Sequence, residues 1–198
     1  MSAALSWNLI SVDDYLNGEL ISPIKHEYIG GVVYAMASAR NRHNDITDNI
    51  HGSLFVRLRG KLCRPHTSDT KVRIRTVSPL RFYYPDISVV CDPNPPGDSF
   101  HDNPVAIFEV LSRSTRRIDE GEKKEAYLTI PSLRIYALVD QESATVVVFR
   151  RTEDGFVREV HHGHDAILSL AELGIELSLA EIYDGVELSP EPNPEAMA

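Results

Sequence analysis

Two short runs in this chain, RFYYPDISVVCD (residues 81–92) and VAIFEVLSRSTRR (residues 105–117), each set a carboxylate in the middle of apolar, β-branched and aromatic residues. Runs of that length and composition read as buried strands. An ionised carboxylate inside such a strand costs several kcal/mol unless something cationic neutralises it. Asp86 and Glu109 therefore call for a positive partner, and a divalent metal ion would supply one. Counting by twos along each strand, Asp86 shares a face with Tyr84 and Ser88, and Glu109 with Ile107 and Leu111. If the two strands pair, both carboxylates converge at one end of the sheet.

The elements that must position these acids follow from periodicity. Ser11, with Asp14 three residues later, has the form of a capping box and opens a short helix through Tyr15 and Leu16. KHEYIGGVVYAMA reads as a hairpin, with strands at residues 25–29 and 32–37 turned at Gly30-Gly31 and Glu27 in the first strand. Over residues 39–62, Ile46, Ile50, Leu54, Leu58 and Leu62 recur every four positions, with Phe55 beside them, which predicts the longest helix. His43 lies on the same side, one turn before Ile46. It reads either as a histidine near a site or as a partly buried, hydrogen-bonded one. Residues 70–76 alternate, with Val72 and Ile74 on one face and Lys71, Arg73 and Arg75 on the other, a half-exposed strand with a basic side. That side is either simply solvated or able to follow a phosphate backbone. Residues 92–104 read as a loop.

Beyond the Glu109 strand, residues 119–130 form a helix in which Lys123, Ala126, Tyr127 and Ile130 share one stripe, so Lys123 faces inward and Lys124 is rotated away. Further strands are expected at residues 133–140, 145–151 and 156–161, completing a sheet of five or six. His161, His162 and His164 read as surface histidines at a turn. Residues 184–198 read as a disordered tail after a single domain of residues 1–183.

The 198 residues, 42% hydrophobic and 25% charged, suit one globular domain. A net charge of -9 argues against a protein that coats nucleic acid by bulk electrostatics, while leaving a local basic site open. Cys63 and Cys91 show no metal-type spacing and read as buried free thiols of a reducing compartment. With no apolar run long enough to span a bilayer and no signal-type N-terminus, the expected location is the cytoplasm, away from membranes.

The ordered set of Pro85-Asp86, then EVLSRST, then D-x-G-E-K-x-x-x-Y resembles the PD-(D/E)xK superfamily with its restriction-endonuclease-like fold. The run from KHEYIGGVVYAMA to IPSLRIYALVD is similar, more narrowly, to the Uma-two family of bacterial restriction endonucleases, over roughly residues 10–185. The resemblance implies an α/β (α+β) domain with a central mixed β-sheet flanked by helices and an N-terminal hairpin extension. It also implies a magnesium-dependent site, with manganese as a substitute, that hydrolyses DNA phosphodiesters, often in a homodimer. The simple motif carries its lysine two residues after the second acid, where this chain has Leu111. The matching lysine is Lys123, the residue the helical stripe also turns inward.

On that resemblance Asp86 and Glu109 hold the metal together with the backbone carbonyl of Val110, since magnesium prefers oxygen ligands and keeps several waters. Lys123 orients or helps to deprotonate the attacking water, with burial and the acids pulling its pKa in opposite directions. Glu27 matches an acidic position of the family's hairpin, and His43 and Tyr127 are accessory candidates. Arg113, Arg116 and Arg117, with Lys71, Arg73 and Arg75, are candidates to position phosphates. Each has a plain rival. Asp86 could cap a turn, Glu109 could sit in a structural salt bridge with Arg116, Arg117 or Lys123, and Lys123 could snorkel. The alternative function is a nuclease-fold protein that binds nucleic acid or a protein partner without cutting.

Overall fold

A computed structural model describes residues 9–188 except Ala37, Arg113 and Ser114. Helix α1 (Val12–Glu19) begins as its sequence predicts, the Ser11 hydroxyl accepting a hydrogen bond from the Asp14 N–H. Strands β1 (His26–Ile29) and β2 (Val32–Ala35) form the expected hairpin, whose turn places Gly30 and Gly31 at positive φ. A Cβ on Gly30 would lie 2.4 Å from Pro79, so the turn needs glycine for space as well as conformation.

Helix α2 (Asn41–Leu58) buries Ile46, Ile50, Leu54 and Leu58 as one stripe. It is shorter than its periodicity suggests, because Arg59 leaves helical geometry and Gly60 takes φ 77°. Leu62 is consequently 80% exposed, and Phe55 lies on the outer side of the helix.

Six strands make the main sheet: β3 (Arg64–Thr67), β6 (Ile87–Val90), β8 (Pro104–Leu111), β9 (Ile135–Asp140), β10 (Thr145–Thr152) and β11 (Gly155–His162). Their spatial order is β11-β10-β9-β8-β6-β3, with β8 and β9 parallel and the other neighbours antiparallel. A second, five-stranded sheet adds β4 (Lys71–Ile74), β5 (Arg81–Tyr83) and β7 (Phe100–His101) to the hairpin, in the order β2-β1-β5-β4-β7. The sequence reads residues 81–92 as one strand. The structure divides them between β5 and β6, in different sheets, with the crossing at Tyr84-Pro85-Asp86. Pro85 has no N–H to give to a ladder, so pairing stops there and the chain changes sheet.

The main sheet is covered on both faces. On one side α2, helix α5 (Leu179–Ile182) and the ribbon of β12 (Ile167–Leu170) with β13 (Ile175–Ser178) bury Val89, Phe108, Val110, Ala137 and Val146. On the other, the five-stranded sheet and helix α4 (Lys124–Leu128) bury Ile107, Leu111, Tyr136 and Leu138 with Val72, Tyr83 and Tyr127. A smaller aromatic cluster of Tyr15, Tyr28, Phe82 and Phe100 fastens α1 to the outer face of the second sheet. That cover changes the expected basic strand: Lys71 is only 3% exposed, because α1 lies where the sequence alone suggests solvent.

Three more expectations are revised. Cys63 and Cys91 are joined in a disulfide. Arg64 pairs with Val90 in the β3–β6 ladder, so the two cysteines meet one step beyond it; the free-thiol argument for a reducing compartment is withdrawn. In the expected tail, Val186 and Leu188 pack against the core, so the chain remains folded through residue 188, and the stretch after it lies outside the described residues. The helix expected at residues 119–130 is a π turn (Asp119–Lys123) followed by α4, which ends at Leu128, and a short helix α3 (Arg116–Ile118) precedes it. Among the described residues no helix is long and apolar enough to cross a membrane.

Candidate active site

The antiparallel β6–β8 register sets Ile87 opposite Phe108, which brings Asp86 and Glu109 side by side one step further on. The Asp86 N–H donates to Glu109 Oε2 at 3.3 Å, and the Val110 N–H donates to Asp86 Oδ2 at 2.7 Å. His43, in the first turn of α2, holds the other Asp86 oxygen through Nε2 at 3.0 Å. The π turn then brings two side chains to the acids. Its wider coil places both Asp119 and Lys123 inward, and the Tyr136 hydroxyl donates to the Asp119 carbonyl at 2.9 Å.

Lys123 Nζ lies 2.8 Å from Glu27, 3.6 Å from Asp119 and 3.8 Å from Glu109. One ammonium group thus gathers carboxylates from the hairpin, the main sheet and its own helix. Glu27 is steadied by the Tyr84 N–H at 3.4 Å, and the ammonium also faces the Tyr83 ring. The packing is tight: Glu109 and Asp119 are 3% exposed and Lys123 is 7% exposed. Tyr127 lies beneath them with its hydroxyl buried and unpartnered.

The electrostatics follow from this crowding. Burial pushes the Glu109 carboxyl well above the usual range, despite the opposing pull of Lys123. Glu27 and Asp119 are also raised, burial again outweighing Lys123. Burial would lower Lys123, but Glu109, Glu27 and Asp119 outweigh it and hold the ammonium above its ordinary value. The opposed influences foreseen for this lysine therefore resolve upward. His43 is raised too, since hydrogen bonding and charge from Asp86 exceed the cost of burial.

Even with His43 charged, four carboxylates face two cations. Glu109 Oε1 is buried without a hydrogen-bond partner, an uncommon state for a carboxylate oxygen. An all-oxygen donor set with surplus negative charge fits magnesium or manganese. Among the described residues no group of three His, Cys, Asp or Glu side chains forms a ready cage for a metal. Asp86 and Glu109 with the Val110 carbonyl are the groups that could hold such an ion, water supplying the remaining ligands.

These groups line one wall of a cavity of about 820 Å³, together with Lys25 and Tyr84 from the hairpin side and Arg40, Asn44 and Thr47 from the start of α2. The arginines and lysines expected to hold phosphates are placed elsewhere. Arg73 makes a two-pronged pair with Asp102 at 2.8 and 2.7 Å, and Arg75 reaches the same acid at 3.4 Å. Lys71 donates to the Tyr84 hydroxyl at 3.1 Å, away from the lining. Arg116 pairs with Asp140 and Glu120, Arg117 is exposed, and Arg113 lies outside the described residues.

Sequence reasoning passes over three residues that the cavity contains. Asp119 is detectable in principle, being four residues before Lys123 in a helical stretch. Lys25 and Arg40 sit at element ends, where periodicity says nothing about direction.

A mixed sheet flanked by helices, with one acid at the entry to a central strand, a second on its neighbour and a lysine delivered by the next helix, defines a nuclease fold of the restriction-endonuclease-like class. The chain belongs to the Uma2 family, described as "Putative restriction endonuclease", whose model matches residues 12–180. It is 31% identical over 178 residues to the uncharacterized protein slr1290 of Synechocystis sp., covering 89% of this chain and 93% of that one. A second uncharacterized Synechocystis protein, sll1609, is 28% identical over 157 residues, covering 78% and 88%. Among solved structures, the fold is similar to that of a "putative nuclease belonging to DUF820" from Anabaena variabilis, with a TM-score of 0.69 at 18% identity. That match covers 87% of this chain and 98% of the other.

Proposed function

We propose that this protein is a magnesium-dependent endonuclease that hydrolyses phosphodiester bonds in DNA, with Asp86, Glu109 and Lys123 at its centre. The observation that carries the reading is the buried, unpartnered Glu109 Oε1 beside Asp86 and within 3.8 Å of the Lys123 ammonium. Asp86, Glu109 and the Val110 carbonyl would hold the metal. Bound there, magnesium supplies charge neutralisation on the phosphate and acidifies water.

The protein's own groups do the rest. Lys123, kept protonated by its three carboxylates, donates hydrogen bonds toward the attacking water and offsets charge growing on the phosphoryl oxygens; it is not the base. Glu27, outside the cavity lining with its Oε1 2.8 Å from Lys123, holds that ammonium in position. His43 fixes the orientation of Asp86, and Tyr127 closes the floor against solvent. On the same reading the enzyme works in the cytoplasm, where its substrate lies, and as the homodimer that the family resemblance implies. The disulfide is the observation that weighs against a reducing compartment.

The test is cleavage of circular DNA, which only an endonuclease opens, supplied both as supercoiled duplex and as single strands with magnesium or manganese. Cutting by the wild type that is lost in Asp86→Ala, Glu109→Ala and Lys123→Met is expected. No cutting of either DNA in either metal overturns the proposal and leaves the non-cutting binder.

A further inference from the structure

We infer that the strand this site cleaves enters it unpaired, so that the substrate is a single-stranded segment, end or flap and not uninterrupted duplex. The inference rests on the nuclease reading of the site and adds to it the form of the nucleic acid. Its first ground is depth. Two of the three groups at the centre of the site are nearly enclosed, Glu109 at 3% and Lys123 at 7% exposure, and the Asp86 side chain is 16% exposed, on the wall of a cavity of about 820 Å³. A duplex is stiff and presents its phosphates on a convex surface, flanked by the bases and by the other strand. A single strand bends into a recess and can offer one phosphate at its bottom.

The second ground is the division of the cavity walls. On the hairpin side the lining sets the apolar Pro23, Ile24 and Met36 beside Tyr84 and Lys25, with Ile24 52% exposed. On the α2 side it is polar, formed by Arg40, Asn44 and Thr47. Arg40 makes no ion pair among the described residues and stands at the N-cap of α2, where no side chain caps the helix. Apolar and aromatic lining from one element and polar lining from another suit a chain whose bases and phosphates turn to different groups. Proteins that take single strands combine aromatic platforms for base faces with cations along the backbone, and Tyr84 with its apolar neighbours offers such a platform here. In a duplex the bases are stacked and paired, and the apolar wall would meet only sugars and phosphates.

The third ground is charge. Arg73 and Arg75 are bound to Asp102 and Arg116 to Asp140 and Glu120, so three of the cations that duplex tracking would use are neutralised within the protein. The other lining cations, outside the acid cluster, are Arg40 and Lys25, the latter 2.7 Å from the well-exposed Asp69. Two cations are enough to hold a short length of backbone, and the chain's net charge of -9 works against a long one.

Binding and cutting are read separately, so that the two layers of the argument fail separately. The full-length Glu109→Gln protein without divalent ions is titrated with a labelled oligonucleotide, single-stranded or annealed to its complement, and the fluorescence anisotropy is followed. The single strand should bind at least about ten-fold more tightly, of the order lost when one base contact is removed. Ile24→Asp and Met36→Asp, both on the cavity wall and checked by circular dichroism, should each weaken single-strand binding about ten-fold. Arg40→Ala should lower the salt slope by roughly one phosphate contact. The wild-type protein with magnesium or manganese should then cut the single strand in preference to the duplex.

Equal or tighter binding to duplex, or full single-strand affinity in Ile24→Asp and Met36→Asp, overturns the inference. Cleavage of duplex as fast as single strand overturns it and leaves the nuclease intact. Selective single-strand binding with no cutting removes the nuclease and keeps the unpaired strand as what the cavity holds.

Discussion

Replacing Lys123 by Met tests the charge balance of the site. The substitution keeps most of the side-chain volume and removes the one ammonium shared by Glu27, Asp119 and Glu109, at 2.8, 3.6 and 3.8 Å. Breaking a buried ion pair by deleting one partner costs about 3–5 kcal/mol, because the other charge is left in a medium that cannot solvate it. At about 2–4 °C per kcal/mol for a domain of this size, the melting temperature should fall by roughly 6–20 °C near pH 8. The sign of the pH dependence is fixed by linkage. All three carboxylates are already raised in the folded protein, and loss of the cation raises them further. The folded variant therefore binds more protons than the unfolded chain, and its deficit shrinks as pH falls through the raised values toward the ordinary carboxylate range. Chemical denaturation of wild type and variant from pH 8 down to pH 5 measures this directly. A loss below about 1 kcal/mol at pH 8 would refute the reasoning. So would a loss that does not diminish on acidification, since the three acids would then not be sharing that charge.

Two predictions concern the rest of the fold. The rings of His66 and His101 lie 4.5 Å apart, and burial holds both imidazoles below their ordinary value, so the folded protein keeps them neutral while the unfolded chain protonates first. Stability should therefore fall as pH drops below about 6.5, more steeply than in His101→Phe, and superimposable pH profiles for the two proteins would remove that pair as the cause. The Cys63–Cys91 bridge closes a sequence separation of 28 residues, and the described chain has no free cysteine. Native protein should thus titrate no thiol, and reduction should cost about 3.5 kcal/mol in denaturant unfolding on the loop-entropy relation; two reactive thiols before reduction would contradict the pairing.

Much of this architecture can be read from local pattern. The period-four stripe of Ile46, Ile50, Leu54 and Leu58 gives α2, and the two glycines turn the hairpin. Apolar runs at residues 105–117 and 133–140 mark the two central strands, whose parallel pairing only the structure supplies. The approach of Asp86 to Glu109 follows from strand pairing, and the inward face of Lys123 from a helical stripe that persists through the π turn. What escapes the sequence depends on elements meeting across long separations. Lys71 alternates like a surface residue but is covered by α1, and Arg73 looks free until Asp102 arrives from the loop after β7. The disulfide depends on the β3–β6 register, which neither cysteine's neighbours encode. Asp119 lies in plain view within a helical run, yet only the wider π turn makes it a neighbour of Glu27 and Glu109.

The most direct measurement of the central claim is an isothermal titration of the wild-type protein and of Glu109→Gln with magnesium and with manganese. Asp86, Glu109 and the Val110 carbonyl should give the wild type a saturable divalent site whose affinity falls at least about ten-fold when one charged ligand is made neutral. Equal affinity in the two proteins, or no binding by the wild type, would show that the buried carboxylates serve the fold alone.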